Sequence, residues 1–504
     1  MYQPILVRLA IGAIVASLLG SFVSEIPAEE SRPNVIIINI DDLGYADIGP
    51  FGSKKNPTPA LTKMAAEGMK LTSHYAAPVC SPSRAALLTG CYPKRVLSIP
   101  HVLFPSAGSG LHPDEVTIAD MLKASGYKTA CLGKWHVGDQ AEFLPTKQGF
   151  DSYYGIPYSN DMGTATDGSK SNFGAPLPMP GAKGKGKQPA QATGELPLGS
   201  PTGLTGNMQP PLPLLENDKV VARVRGEDQV NLTRDYTKRA VNFIRENKDQ
   251  PFFLYFAHTA VHFPMYPSKE FRTSDRGTLD DWVDEVDASV GEVLAALAEM
   301  KIDEKTLVIF TSDNGGSLPH GSDNTPLKGS KGSTWEGGIR VPTIARWPGT
   351  IKGGTSTSAI TGMIDLLPTI AAATGAKLPE RKLDGLNQLP LLNGTAKESP
   401  RREFFYFRGL ELDAVRRDNW KLHLAKGELY DLESDIGESK NVAADHPEIV
   451  KSLTELAATA DKDLGQKGIG PGVRPLGTVE SPRPLIGRDG TVRADAVGDA
   501  KILP

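Results

Sequence analysis

The stretch Asn34-Val35-Ile36-Ile37-Ile38-Asn39-Ile40-Asp41-Asp42 decides the fold class. A short apolar run closed by two carboxylates reads as a strand buried on both faces, the kind found in parallel sheets that helices cover on either side. The pattern returns downstream. Tyr127 to Leu132 follows a helical segment, Thr117 to Ser125, and a break at Gly126; it leads into Gly133-Lys134-Trp135-His136. Pro251 to Ala257 follows the amphipathic segment Arg234 to Asn247 and runs into His258 and His262. Thr306 to Thr311 follows the helical segment Leu279 to Met300 and ends at Asp313-Asn314-Gly315-Gly316. This alternation predicts an α/β fold that delivers polar groups just beyond the carboxyl ends of four strands. In open α/β sheets that edge binds ligands.

The chain has 504 residues and a formal net charge of −4, so it has room for a large catalytic domain with a smaller appendage, and no field that gathers polyanions. No basic stripe interleaved with aromatics is present, which excludes nucleic acid as a partner class. Residues 1–28 read as a signal peptide, because Arg8 precedes the apolar run Leu9 to Val23 and small residues follow around Ala28. The run is shorter than the roughly 20 residues of a membrane span. The mature chain is therefore expected to begin near Glu29, to be secreted or periplasmic, and to keep no membrane span after cleavage. Residues 29–378 form the expected catalytic domain, with a Gly- and Pro-rich surface excursion at 163–217 that cannot supply a core of its own. Residues 379–464 shorten to strand-like pieces, Glu403 to Phe407, Leu412 to Arg416 and Trp420 to Leu424, with a helix near His446 to Thr459. They predict a small α+β subdomain. The Gly- and Pro-rich tail, 465–504, is expected to have no regular structure.

Three cysteines, Cys80, Cys91 and Cys131, make no disulfide framework and leave one thiol over; a Cys91/Cys131 pair and three buried thiols are both open. In Cys80-Ser81-Pro82-Ser83-Arg84, Pro82 and Ser83 suit the first turn of a helix. Cys80 then falls just ahead of the N-terminus, where amides and the dipole favour an anion, and Arg84 comes back beside it one turn later. Alone, the stretch reads more readily as a capped helix with a buried thiol. Asp41, Asp42, Asp313 and Asn314 offer three carboxylates and an amide oxygen at two strand ends, the donor set of a hard cation, although each pair singly also suits a turn or cap. Lys134 and His136 stand two apart on an expected extended segment, which puts both side chains on one side. His258 reads as a neighbour of this chemistry and not a participant.

Together with Leu88-Thr89-Gly90, the Cys80 to Arg84 stretch resembles the signature of the type I, formylglycine-dependent sulfatase family, Cys-x-Pro-Ser-Arg followed by Leu-Thr-Gly. Other blocks similar to that family follow in order: Gly133 to His136; Gly155-Ile156-Pro157-Tyr158-Ser159; His262 in Thr259 to Pro264; and Lys331 ahead of Trp335-Glu336-Gly337-Gly338-Ile339-Arg340. The resemblance runs from Pro33 to Ala443 and is nearest the arylsulfatase A and N-acetylgalactosamine-6-sulfatase group. It departs at Cys91, where relatives often carry arginine, and in the 163–217 insertion.

The resemblance implies an alkaline-phosphatase-like sandwich, with a large mixed, mostly parallel sheet flanked by helices and a smaller C-terminal α+β domain carrying a short antiparallel sheet. It implies hydrolysis of a sulfate monoester, of a sulfated saccharide and also of aryl sulfates. Cys80 would be oxidised to Cα-formylglycine by an export-linked sulfatase-maturing enzyme. Ca2+, or Mg2+ as in some members, would be held by Asp41, Asp42, Asp313, Asn314 and residue 80. Arg84, Lys134 and Lys331 would neutralise the sulfate, which Ser159 and His262 would also contact. His262 and Lys331 would protonate the leaving oxygen, and His136 would take the proton that lets sulfate depart. Two alternatives stand beside this reading: a phosphonate monoester or phosphodiester hydrolase of the alkaline phosphatase superfamily, and a non-catalytic glycan-binding protein on the same fold.

Overall fold

A computed structural model describes residues 32–176, 202–272 and 275–498. The chain divides into two compact units, Met1–Arg32 and Pro33–Pro504, and the architecture below is that of the second. The expected leader, 1–28, lies outside the described residues, as does 177–201 within the expected excursion.

Asn34–Ile40 is a strand buried along its whole length. It lies inside an eleven-stranded sheet whose central order is Thr306–Ser312, Asn34–Ile40, Phe252–Ala257, Lys128–Gly133, all four parallel. Burial on both faces requires apolar residues in both registers, and the two registers of Asn34–Ile40 feed two separate cores. Val35 and Ile37 pack with Leu87, Leu88, Met121 and Leu367 on one side. Ile36, Ile38 and Ile40 pack with Leu61, Tyr236, Trp282 and Val290 on the other. The polar residues of the strand are paired across it: the Asn34 side chain donates to Thr306 Oγ1 at 3.2 Å and that of Asn39 to Tyr255 Oη at 3.3 Å. The helices Ile118–Ala124, Leu232–Glu246 and Thr278–Glu299 stand within about two residues of their expected ends. Thr117 caps the first, accepting from the Asp120 amide at 3.1 Å.

Two expectations change. The excursion does not extend to Asn217: Leu212–Glu216 is a strand of the large sheet, antiparallel to Ser152–Gly155 and Lys219–Val224, with Leu212 and Leu215 buried. The tail is not wholly irregular either. Gly477–Thr478 pairs antiparallel with Ser109–Gly110, and Leu485 and Ile486 are buried against the core. The three cysteines are free and buried, with no Cys91–Cys131 disulfide.

The smaller sheet is a four-stranded antiparallel meander, Glu403–Arg408, Glu411–Arg417, Trp420–His423 and Glu428–Asp431, covered by the helix Pro447–Asp463. A buried ionic cluster joins it to the large sheet. Lys421 Nζ lies 2.9 Å from both Glu336 Oε1 and Glu438 Oε1, and Tyr75 donates to Glu336 Oε2 at 2.6 Å. Burial pushes the Glu336 carboxyl up, but Lys421, Arg340 and Arg416 outweigh it and hold the group down at about 2. Removing one partner from such a cluster leaves buried charge uncompensated, at a cost of about 3–5 kcal/mol. Lys421→Met is therefore expected to lower the free energy of unfolding by about that amount. Denaturant titration checks it, and an unchanged midpoint would show that the cluster carries no net stability.

Candidate active site

The four central parallel strands present their carboxyl ends side by side, so the residues that follow them meet. Asp41 and Asp42 leave the first of these strands in chain order, with Asp42 at φ +62°, and Asp313 and Asn314 leave its neighbour. Asp313 N donates to Ile40 O at 2.9 Å, which locks the two turns together.

Cys80 is the first residue of the helix Cys80–Thr89, one position further in than the sequence places it, behind an extended Val79. Ser83 accepts from the Ala77 amide at 2.7 Å and Ser81 from the Leu103 amide at 3.2 Å, so both serines of the stretch hold the incoming loops. The Cys80 thiol donates to Asp41 Oδ1 at 3.4 Å and accepts from Lys331 Nζ at 3.6 Å. Burial pushes this thiol far above its usual range, and Asp313 and Asp41 push it further.

Arg84 is fully buried one turn on. Its Nε and Nη2 lie 2.9 and 2.8 Å from Asp313 Oδ2, and Nη1 donates to Lys134 O at 2.6 Å. Lys134 Nζ bonds Asp41 Oδ2 at 2.5 Å and Ser159 Oγ at 3.2 Å. Lys331 Nζ bridges both oxygens of Asp42 at 2.7 and 2.9 Å. His262 Nε2 lies 3.6 Å from Asp42 Oδ2, and the ring reaches Ser159 Oγ at 3.4 Å. Burial raises the Asp41 carboxyl, but the charges of Lys134, His262, Arg84 and Lys331 outweigh it and keep Asp41 ionised. Asp313 goes the other way: burial and the charge of Asp41 lift it to about 6 against the pull of Arg84.

His136 does not lie on an extended segment with Lys134. Gly133 and His136 both have positive φ, +105° and +67°, because the chain turns sharply as it leaves the sheet. A Cβ at Gly133 would stand 1.8 Å from Ala257 O, so only glycine allows this turn. His136 Nε2 donates to Leu103 O at 2.9 Å, which leaves Nδ1 as the unprotonated nitrogen; Nδ1 is buried without a partner. Burial, then Lys134 and Arg84, hold the ring well below its ordinary range, so it is neutral. His258 is elsewhere, its ring 4.1 Å from that of Phe256 and its Nε2 3.4 Å from Ser289 Oγ.

Asp41, Asp42, Cys80 and His262 place ligand atoms within 4.8 Å of one another. The expected cation set differs from this group. It lacks His262 and adds Asp313, whose Oδ2 is taken by Arg84, and Asn314, whose Nδ2 donates to Asp42 Oδ1 at 2.7 Å. Asn314 Oδ1 is buried without a partner, an orphan acceptor beside three carboxylates. That donor chemistry, oxygen-rich and acidic, fits a hard cation.

One residue near the site went unread in the sequence. His320, on the surface loop after Asn314, stacks on Phe263 with ring centroids 4.6 Å apart and planes at 11°, beside His262. Its loop has no periodicity, and only the presence of a ring at the rim could have suggested it.

The sequence model of the family described as Sulfatase matches residues 33–376, and one described as N-sulphoglucosamine sulphohydrolase, C-terminal, matches residues 330–463. Human arylsulfatase A is 38% identical over 468 residues, covering 84% of this chain and 87% of its own. Mouse N-acetylgalactosamine-6-sulfatase is 36% identical, covering 82% of this chain and 75% of its own. Among solved structures, that of Ps i-CgsB in complex with k-i-k-neocarrahexaose superposes with a TM-score of 0.69 at 32% identity, covering 85% of this chain and 92% of its own. These relatives favour sulfate ester hydrolysis over the phosphonate and phosphodiester alternative. A family match that spans every strand-end residue described above, joined to this identity over most of the chain, places the protein in the sulfatase family, as a sulfuric ester hydrolase.

Proposed function

We propose that this enzyme removes sulfate from a sulfated saccharide, using residue 80 as a Cα-formylglycine and a calcium ion held by Asp41, Asp42, Asp313, Asn314 and residue 80. The observation that carries the reading is the position of Cys80: first in its helix, 3.4 Å from Asp41 Oδ1 and 3.6 Å from Lys331 Nζ, at the centre of the converging strand ends. Hydrated formylglycine supplies one hydroxyl for attack on sulfur and a second through which sulfate is later released. The cation, magnesium being the alternative ion, supplies positive charge to the sulfate oxygens.

The chain's own residues do the rest. Arg84, fixed by Asp313 and by Lys134 O, orients Asp313 toward residue 80 and keeps its pocket positive. Lys134 and Lys331 are held charged by Asp41 and Asp42 despite burial, and give ammonium donors to the sulfate. Ser159 bridges Lys134 and His262 and orients both. His136, neutral with a free Nδ1, is the group suited to accept a proton. The leader at 1–28 directs the chain to secretion or the periplasm, on a path that includes the maturing enzyme that converts Cys80. Among the described residues no helix is long and apolar enough to cross a membrane.

His262, between Asp42 and Ser159, is the leaving-group side of this site, with Lys331. Its loss should therefore depend on how badly the leaving oxygen needs a proton. His262→Ala is expected to lower kcat about 100-fold or more on a saccharide sulfate and less than about 10-fold on 4-nitrophenyl sulfate, whose phenolate leaves unaided. Steady-state kinetics on the two substrates checks this. Equal losses would remove His262 from proton transfer.

A further inference from the structure

A cavity of about 240 Å³ lies between the active-site loop and the C-terminal sheet. Its wall is Gly332, Ser333, Thr334 and Trp335, which follow Lys331 directly. Gly332 N donates to Pro78 O at 2.8 Å, so the wall is also tied to the chain two residues before Cys80. The opposite side comes from two turns at one end of the meander. Arg408 and Asp413 flank the first hairpin, and His423 and Lys426 belong to the other.

The chemistry of this cavity is mixed in a particular way. Arg408 Nε donates to Asp413 Oδ2 at 2.7 Å, and Thr334 Oγ1 donates to the same oxygen at 3.1 Å. Asp413 Oδ1 receives only a longer contact, 3.4 Å from Arg408 Nη2, and keeps acceptor capacity. Lys426 Nζ stands 4.8 Å from the Trp335 ring centre, with its acidic neighbour Glu428 at 3.7 Å. Trp335 is half-buried, with the His423 ring centre 4.1 Å and Lys328 Nζ 3.8 Å from the centre of its ring. An acceptor, paired donors and a cation facing a half-buried indole across the cavity suit a molecule that presents adjacent hydroxyls and acidic groups. The volume is far more than the roughly 10–15 Å³ that one bridging water needs.

We propose that this cavity is a second saccharide subsite, which takes the sugar unit beside the sulfated one, with Asp413, Arg408 and Lys426 on its hydroxyl or acidic groups and Trp335 on the facing wall. The proposal rests on the saccharide reading above and narrows it: the preferred substrate is a chain of at least two units, not a sulfated monosaccharide. Binding energy from this remote unit would appear in kcat/KM.

The test compares sulfated monosaccharides, the chondroitin- and carrageenan-derived tetrasaccharides that end in them, and 4-nitrophenyl sulfate, on the wild type, Arg408→Ala, Lys426→Ala and the double variant. Both side chains are more than half exposed, 55% and 57%, and melting temperatures verify that the variants fold. The wild type should prefer a tetrasaccharide to its monosaccharide. Each variant should lose about 10- to 100-fold more kcat/KM on that tetrasaccharide than on 4-nitrophenyl sulfate, the scale of one hydrogen bond to a charged group. Equal losses on both substrates, no loss, or a wild type that does not distinguish tetrasaccharide from monosaccharide would overturn the subsite and leave the saccharide reading standing. A wild type that turns over 4-nitrophenyl sulfate and no saccharide would overturn both.

Discussion

Cys80→Ser is expected to release at most one equivalent of alcohol per site and then stop, and Cys80→Ala to release none, a loss in turnover of about 10⁴-fold or more. The serine hydroxyl would occupy the position of the present thiol, between Asp41 Oδ1 and Lys331 Nζ. It can displace the alcohol from sulfur, its proton passing to the carboxylates and the alcohol oxygen taking one from His262 or Lys331. The product is a sulfated serine. That ester has no second hydroxyl on the same carbon, so the proton acceptor proposed at His136 Nδ1 would have nothing to deprotonate and sulfate would stay bound. Rapid-quench measurement of the alcohol against enzyme concentration reads the result directly. Sustained turnover by the serine variant would show that residue 80 needs no aldehyde.

Removal of the cation should have a comparable effect. Asp41, Asp42 and Asp313 gather three carboxylates in a buried site, next to the orphaned Asn314 Oδ1. Chelation is expected to lower activity about 10³-fold or more, the several kcal/mol that a bound cation contributes to a developing anionic transition state. Calcium or magnesium should restore it; zinc, which prefers nitrogen and sulfur, should not. The melting temperature should rise with added calcium, because binding to the folded chain alone stabilises it. Asp313→Ala should lose activity and that calcium dependence together. Recovery with zinc alone, or full activity of Asp313→Ala, would contradict the oxygen-ligand site.

Much of this arrangement could be read from the sequence because the central strands are buried on both faces. Near-continuous apolar runs such as Val35 to Ile40 have one structural reading, and whatever polar residues close them must stand at the sheet edge. Asp41, Asp42, Asp313 and Asn314 could be placed at that edge for this reason, whereas Cys80, His262 and Lys331 were singled out by resemblance to the sulfatase family, since the turn chemistry of Pro82 and Ser83 alone reads as a capped helix. Details set by tertiary contact were not. Neither the φ of +67° at His136 nor the close passage of Gly133 by Ala257 is announced by a local pattern. Leu212–Glu216 is a short run inside a Gly- and Pro-rich stretch, and its pairing partners, Ser152–Gly155 and Lys219–Val224, decide its state. Gly477–Thr478 likewise becomes a strand only against Ser109–Gly110. The cavity at Trp335 joins a loop near residue 333 to hairpins at 408 and 426, far apart in the chain, so composition alone could not reveal it.

A peptide mass spectrum across residue 80 of active protein shows whether that residue acts as a formylglycine. The expected peptide is one in which the cysteine has exchanged sulfur and two hydrogens for one oxygen, in a fraction that matches the titrated active sites. Protein made in a host without the maturing enzyme should fold, keep the unmodified peptide and be nearly inactive. An unmodified Cys80 thiol in fully active protein would show that catalysis needs no formylglycine.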